Sequence, residues 1–120
     1  MKSWQTEVLY LESKSVPLLL KMLSVDTGST RLCLPADMIR ELGLPFKKEI
    51  KLMTVTGEIK ARLFKRLSIT VEGRKKEFDC TELPGGEDPL LGVIPLEKLR
   101  LQPDLMNKRL ILLPEEEDSN

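Results

Sequence analysis

The segment Lys21–Pro35, KMLSVDTGSTRLCLP, constrains this chain more than any other. An apolar, strand-like run leads into Asp26-Thr27-Gly28, two hydroxyl residues follow, and a second apolar run, Leu32-Cys33-Leu34, closes it. Asp caps its own turn and Gly supplies a positive φ, so the tripeptide is good turn chemistry. It also pushes a carboxylate out between two strands, beside a glycine and a cluster of hydroxyls. Any fold must bury the flanking runs and present this turn.

The rest of the chain repeats the pattern of short apolar runs and turns. Residues 6–12, TEVLYLE, alternate weakly and read as a strand. Pro17 to Val25 is a second apolar run, Asp26–Thr30 a turn, and Arg31–Leu34 a short strand leaving it. PADMIRELG (35–43) reads as a short helix, with Pro35 in the first turn, Met38, Ile39 and Leu42 on one face, and Gly43 at the C-terminal cap. EIKLMTVTGEIKARLF (49–64) is a hairpin with Thr56-Gly57 at its tip, and RLSITVEGRKKEFDC (66–80) another, turning at Glu72-Gly73-Arg74. LPGGEDP (83–89) is a loop, Leu90-Leu91-Gly92 a buried strand end, PLEKLRL (95–101) a short helix and RLILLP (109–114) a last strand reached through a turn at Asn107-Lys108. Short strands with two short helices predict a small closed or sandwich-like β fold.

Composition limits the chemistry. At 120 residues the chain fits one domain, and 41% hydrophobic with 32% charged residues is a soluble globular balance. There is no histidine, which excludes a histidine-based triad, a histidine-ligated metal and a histidine proton shuttle. The two cysteines, Cys33 and Cys80, lack zinc spacing and are expected to be reduced core residues. The start, MKSWQTEV, has no apolar stretch of the signal-peptide kind, and VPLLLKML (16–23) is far too short to span a membrane. These readings predict a cytoplasmic protein. The formal net charge is zero but unevenly spread. Residues 31–66 carry nine basic and four acidic groups, a balance of +5, and residues 67–120 seven basic and twelve acidic, a balance of −5. The acidic end EEED accounts for most of the last figure and is expected to be a disordered, solvated tail over 115–120.

DTGST between apolar runs, followed by a short helix, resembles the active loop of the retroviral-type, or retropepsin-like, aspartic proteases. Further parts match in order. PADMIRELGLP is similar to the segment after the active loop in bacterial single-lobe members, the VTGEI hairpin falls where the family carries its flap, and LPGGEDPLLG before a helix resembles the family's second hallmark. The resemblance implies a mainly β fold of the retropepsin-like acid protease type, a small closed barrel or sandwich with one or two short helices and half a site per chain, over residues 1–114. It implies a homodimeric peptidase acting on peptide or protein substrates, with no cofactor and no metal. Asp26 takes the catalytic role. The chain has one Asp-Thr-Gly, and Asp37, Asp79, Asp88 and Asp104 lack that context, so the second carboxylate is expected from Asp26 of a second copy across a two-fold axis. In the active loop, Thr27 would hydrogen-bond across the axis, Gly28 would let substrate backbone approach, and Ser29, with Thr30 beside it, could donate a hydroxyl to Asp26. Thr56 and Gly57 would close over substrate as the flap, and Leu90, Leu91 and Gly92 would support the loop. The sequence also departs from the family. Ser24 stands where an aliphatic residue is usual, Val93 follows Gly92 where many members place Arg or Asp, and the flap tip has no aromatic.

Two other readings compete. TRLCLPADMIRELGLPFKKEIKL also resembles swapped-hairpin DNA-binding regulators, and the basic balance of 31–66 falls on it. That fold needs about a third of the chain and leaves DTGST and LLG unexplained, so a nucleic-acid partner is not expected. The other keeps the protease fold and drops catalysis, leaving a dimeric peptide-binding or assembly module.

Overall fold

The computed structural model describes residues 3–13, 19–26, 28–83 and 85–115, so Thr27 and the end of the acidic tail, 116–120, lie outside the described residues. The elements in order are β1 (Ser3–Glu12), β2 (Leu19–Asp26), β3 (Leu32–Pro35), α1 (Ala36–Leu42), β4 (Phe46–Thr54), β5 (Gly57–Val71), β6 (Arg74–Leu83), β7 (Leu90–Leu91), α2 (Val93–Lys98), β8 (Leu101–Asp104) and β9 (Arg109–Leu112). The mainly β class is as expected from the sequence.

Seven strands form one sheet in the order β1-β2-β7-β3-β6-β5-β4, and β8-β9 form a separate hairpin. β1 also pairs with β5, Tyr10 to Glu12 against Thr70 to Ser68, which curls the sheet back on itself. Closure of this kind removes edges that would otherwise invite pairing with other chains. Two pairings are parallel, β2 with β7 and β3 with β6. Parallel neighbours need long crossovers, and here residues 36–73 connect β3 to β6, within the still longer connection from β2 to β7.

The core is aliphatic. Leu11, Val25, Leu34, Leu42, Leu67, Ile69, Val71 and Leu91 are fully buried, and Leu96 and Leu99 of the α2 segment nearly so. Each such side chain contributes roughly 1.5–3 kcal/mol of burial relative to exposure. α1 packs Met38, Ile39 and Leu42 inward and stops at Gly43, whose φ of 65° lets its N–H and that of Leu44 return to the Arg40 and Ile39 carbonyls. Pro35 is the last residue of β3 and the N-cap of α1, one position earlier than the sequence suggests.

Several boundaries differ from the sequence reading. β5 runs without a break from Gly57 to Val71, where the pattern suggests two strands. Its alternation is broken by a bulge between Phe64 and Leu67, with Arg66 at φ 64°, and the strand continues through it. The first hairpin turns at Val55-Thr56, because Thr54 pairs with Gly57. α2 ends at Lys98, and Leu101, read as helical, begins β8. The DNA-binding reading loses its geometry. β3 lies between β7 and β6 while β4 pairs with β5, so the two strands of that motif are not partners.

Candidate active site

Asp26 is the last residue of β2, and the loop that follows it is shaped by a strand from far along the chain. β2 and β3, which flank the loop, do not pair with each other. β7 is inserted between them, Ser24 and Val25 against Leu90 and Leu91 on one side, Leu32 and Cys33 against Leu91 and Leu90 on the other. Residues 26–31 must therefore bridge across the end of β7. Val25, Leu32 and Leu91 are buried in one row, which fixes the height at which β2 ends and Asp26 begins. On its other side the Asp26 backbone pairs with Ser3 of β1.

The turn after β7 then clamps the loop. The N–H groups of Gly92, Val93 and Ile94 donate to the carbonyls of Arg31, Ser29 and Thr30 at 3.1, 2.9 and 3.1 Å. The first N–H groups of a helix have no partner within it, and here those of Val93 and Ile94 are used on the loop. The third residue of α2 is Pro95, which has no N–H to satisfy. Gly92 is required sterically. A Cβ there would lie 2.6 Å from the Arg31 carbonyl oxygen and 2.7 Å from both the Arg31 nitrogen and the Ser29 oxygen. Gly92 thus meets the loop directly, while Leu90 and Leu91 pair with the strands that flank it.

Of the loop residues, Gly28 and Thr30 are exposed and Ser29 is partly so. Ser29 Oγ donates to the Arg31 carbonyl over a long 3.4 Å. Thr56 is exposed at the hairpin tip and Gly57 starts β5 with φ 121°, a conformation suited to glycine. This β4–β5 hairpin carries exposed Met53 and Val55 near its tip, and at its root Phe46 and Phe64 meet edge to face, with the Arg62 guanidinium over Phe64.

Asp37, set aside in the sequence because it lacks the Thr-Gly context, has a supporting place. Its Oδ1 accepts the Gly86 N–H at 3.2 Å and so ties the loop before β7 to the start of α1. The backbone carbonyls of Ser29, Thr30 and Arg31 carry no sequence signal and could not be foreseen. Both cysteines are buried and neither is in a disulfide. Burial, and then the proximity of Cys33, push the Cys80 thiol up to about 12, so it is no nucleophile at neutral pH. Among the described residues no three His, Cys, Asp or Glu side chains stand together as a metal site, and no helix is long and apolar enough to cross a membrane.

Residues 19–93 match the sequence model of a family described as aspartyl protease. Among solved structures, the solution structure of simian foamy virus (mac) protease superimposes with a TM-score of 0.56 and 24% identity, over 81% of this chain and 99% of that one. At that identity the likeness bears on the fold. A search of curated protein sequences gave no match.

Proposed function

The chain belongs to the aspartyl protease family, and from that premise we propose that it is a homodimeric endopeptidase in which Asp26 of each copy supplies one of two catalytic carboxylates. The observation that carries the reading is the clamped loop. Asp26, which opens the one Asp-Thr-Gly of the sequence, ends β2, and the loop residues Ser29, Thr30 and Arg31 that follow accept hydrogen bonds from Val93, Ile94 and Gly92.

Peptide hydrolysis at such a site needs an activated water. One carboxylate, ionised, takes a proton from the water as it attacks the carbonyl carbon. The other, protonated, gives its proton to the carbonyl oxygen, and collapse of the tetrahedral intermediate delivers a proton to the leaving amine. Two like charges a few ångströms apart cannot both ionise, so the pair holds one proton between them. A single Asp26 cannot fill both roles, and a two-fold axis brings each residue to its own mate. In this reading Thr27 links the two loops across the axis, and Gly28 admits substrate backbone. Ser29 turns its hydroxyl from the Arg31 carbonyl to Asp26, and the hairpin tip with Thr56 and Gly57 closes over substrate to exclude water. No cofactor or metal takes part, the substrate is a peptide or protein, and the domain spans residues 1–114.

The direct test is cleavage of a peptide library from pH 3 to 7 by the purified protein and by Asp26→Asn. Wild type is expected to cleave and Asp26→Asn to be silent while retaining the wild-type melting profile. A folded wild type that binds peptides without cutting any would leave the binding-module reading.

A further inference from the structure

A cleft of about 700 Å³ opens between the first half of β6, the end of α2 and the C-terminal segment. It is lined by cations: Arg74, Lys75 and Lys76 of β6 and, from the α2 side, Lys98 and Arg100. Arg74 ties the two sides together. Its side chain is only 15% exposed and donates to the carbonyls of Leu99 and Arg100 at 3.1 and 2.6 Å.

The C-terminal segment reaches this cleft through contacts of its own. The Leu113 N–H donates to the Arg100 carbonyl at 2.9 Å, the Arg100 Nε to the Pro114 carbonyl at 3.1 Å, and Glu115 pairs with Arg74 at 3.3 Å. Lys75 is taken by Glu12 at 2.8 Å. Lys76, Lys98 and Arg100 have no carboxylate partner among the described residues, and the lining's remaining acids are Glu77 and Glu97. Positive charge is therefore in excess at the point where the chain delivers Glu115. The next residues in the sequence are Glu116, Glu117 and Asp118.

We propose that this cleft docks the chain's own acidic end, setting Glu116, Glu117 and Asp118 against Lys76, Lys98 and Arg100 of the same copy. The spacing agrees. Alternate residues of an extended chain lie on one side, roughly 7 Å apart, so Glu117 follows Glu115 at the interval by which Lys76 follows Arg74. A run of like charges repels itself in solvent, and facing cations relieve that repulsion. Each exposed ion pair is weak alone, about 0–1 kcal/mol. A tethered segment, however, presents all of its carboxylates at an effective concentration on the order of millimolar, which favours the chain's own end over a free acidic peptide. Once docked, it bridges β6 and the last turn of α2. The first turn of that helix holds the Thr30 carbonyl through Ile94, so the acidic end braces the helix that supports the loop after Asp26.

The test uses the full chain and needs no cleavage, so it stands apart from the peptidase reading. A nitroxide is attached at Ser119→Cys, the native Cys33 and Cys80 being buried, and the amide signals of the isotope-enriched protein are followed. In low salt, the signals of Lys76, Lys98 and Arg100 are expected to be lost to broadening. Salt at about 0.5 M, where the screening length falls to roughly 4 Å, should restore them. Glu116→Gln, Glu117→Gln and Asp118→Asn together should restore them too, whereas Glu116→Asp with Glu117→Asp, which keeps the charge, should not. In a mixture of nitroxide-bearing unenriched chains with enriched chains lacking the nitroxide, no broadening is expected. Three results would overturn the inference. One is a wild-type spectrum in which these signals keep their intensity. Another is broadening that survives the salt or the neutral variant, which would mean that the carboxylates do not hold the contact. The third is broadening in the mixture equal to that within one chain, which would seat the acidic end on a second copy.

Discussion

Gly92 donates its N–H to the Arg31 carbonyl at 3.1 Å, and a methyl group on its Cα would lie 2.6 Å from that same oxygen. The hydrogen bond and the missing side chain are one requirement. The turn after β7 must press backbone to backbone against the loop that carries Asp26. Gly92→Ala should therefore shift the loop, lowering stability by about 1–3 kcal/mol as overpacking does and reducing cleavage far more than the stability loss explains. Gly85→Ala is the control. Its Cβ would meet only the Asp37 carboxylate, at 3.5 Å, and it should change stability by less than about 0.5 kcal/mol. Thermal melts of the two variants with similar midpoints would contradict the clamp.

The sequence shows the loop and its glycine but not the relationship between them. Apolar runs, Gly43 after a helical face and Glu72-Gly73 between strands are local signals, and the structure follows them. β7 is two residues long and pairs in parallel with a strand about 65 positions earlier, and no local pattern encodes such a pairing. The helix after it was legible in its apolar face, yet its end was not. Leu96, Leu99 and Leu101 are all buried, but Arg100 turns the chain at φ 58° with no glycine to announce it. The same limit hides the site's support. Carbonyls of Ser29, Thr30 and Arg31 are acceptors that every residue has, and the Asp37 tether to Gly86 spans two segments separated by two hairpins.

The β4–β5 hairpin should exchange its amides in a gradient. Its root is held by the Phe46–Phe64 contact, by Arg62 bound to both oxygens of Glu82 at 2.8 and 2.7 Å, and by β6 beyond Leu63. Toward the tip, Met53 and Val55 are exposed and β5 pairs with β4 alone. Hydrogen exchange is expected to be fast over 52–58 and slow over 61–64, with the fast part protected when a transition-state peptide analogue binds. Uniform protection without ligand would remove the closing role of Thr56 and Gly57.

Cys80 should resist modification while the fold persists. It is 1% exposed, and burial first, then Cys33, raise its thiol to about 12 from an ordinary value near 9. A raised acid favours the protonated form in the fold, so its contribution is fully present below the unfolded value. It is lost as pH rises from about 9 towards about 12. Stability should fall over that window, and Cys80→Ala should flatten this part of the profile. Thiol labelling should reach Cys80 only after denaturation. Rapid labelling in the native state would contradict the burial.

The last prediction concerns the number of carboxylates. If two copies each lend one Asp26, activity per chain must fall faster than linearly on dilution through the dimer dissociation constant. Asp26→Asn subunits added in excess should poison wild type, because each mixed pair keeps one carboxylate and lacks either the acid or the base. Asparagine is isosteric with aspartate and removes like-charge repulsion at the axis, so the variant should dimerise at least as tightly as wild type, which sedimentation can measure. The pH profile should be bell-shaped with its best rate on the acidic side, and both limbs belong to the pair sharing one proton rather than to either residue. Wild type diluted to a strict monomer and still fully active would remove the shared site. So would a mixture with Asp26→Asn that loses activity only in proportion to the wild type it contains, once subunit exchange is shown to be complete.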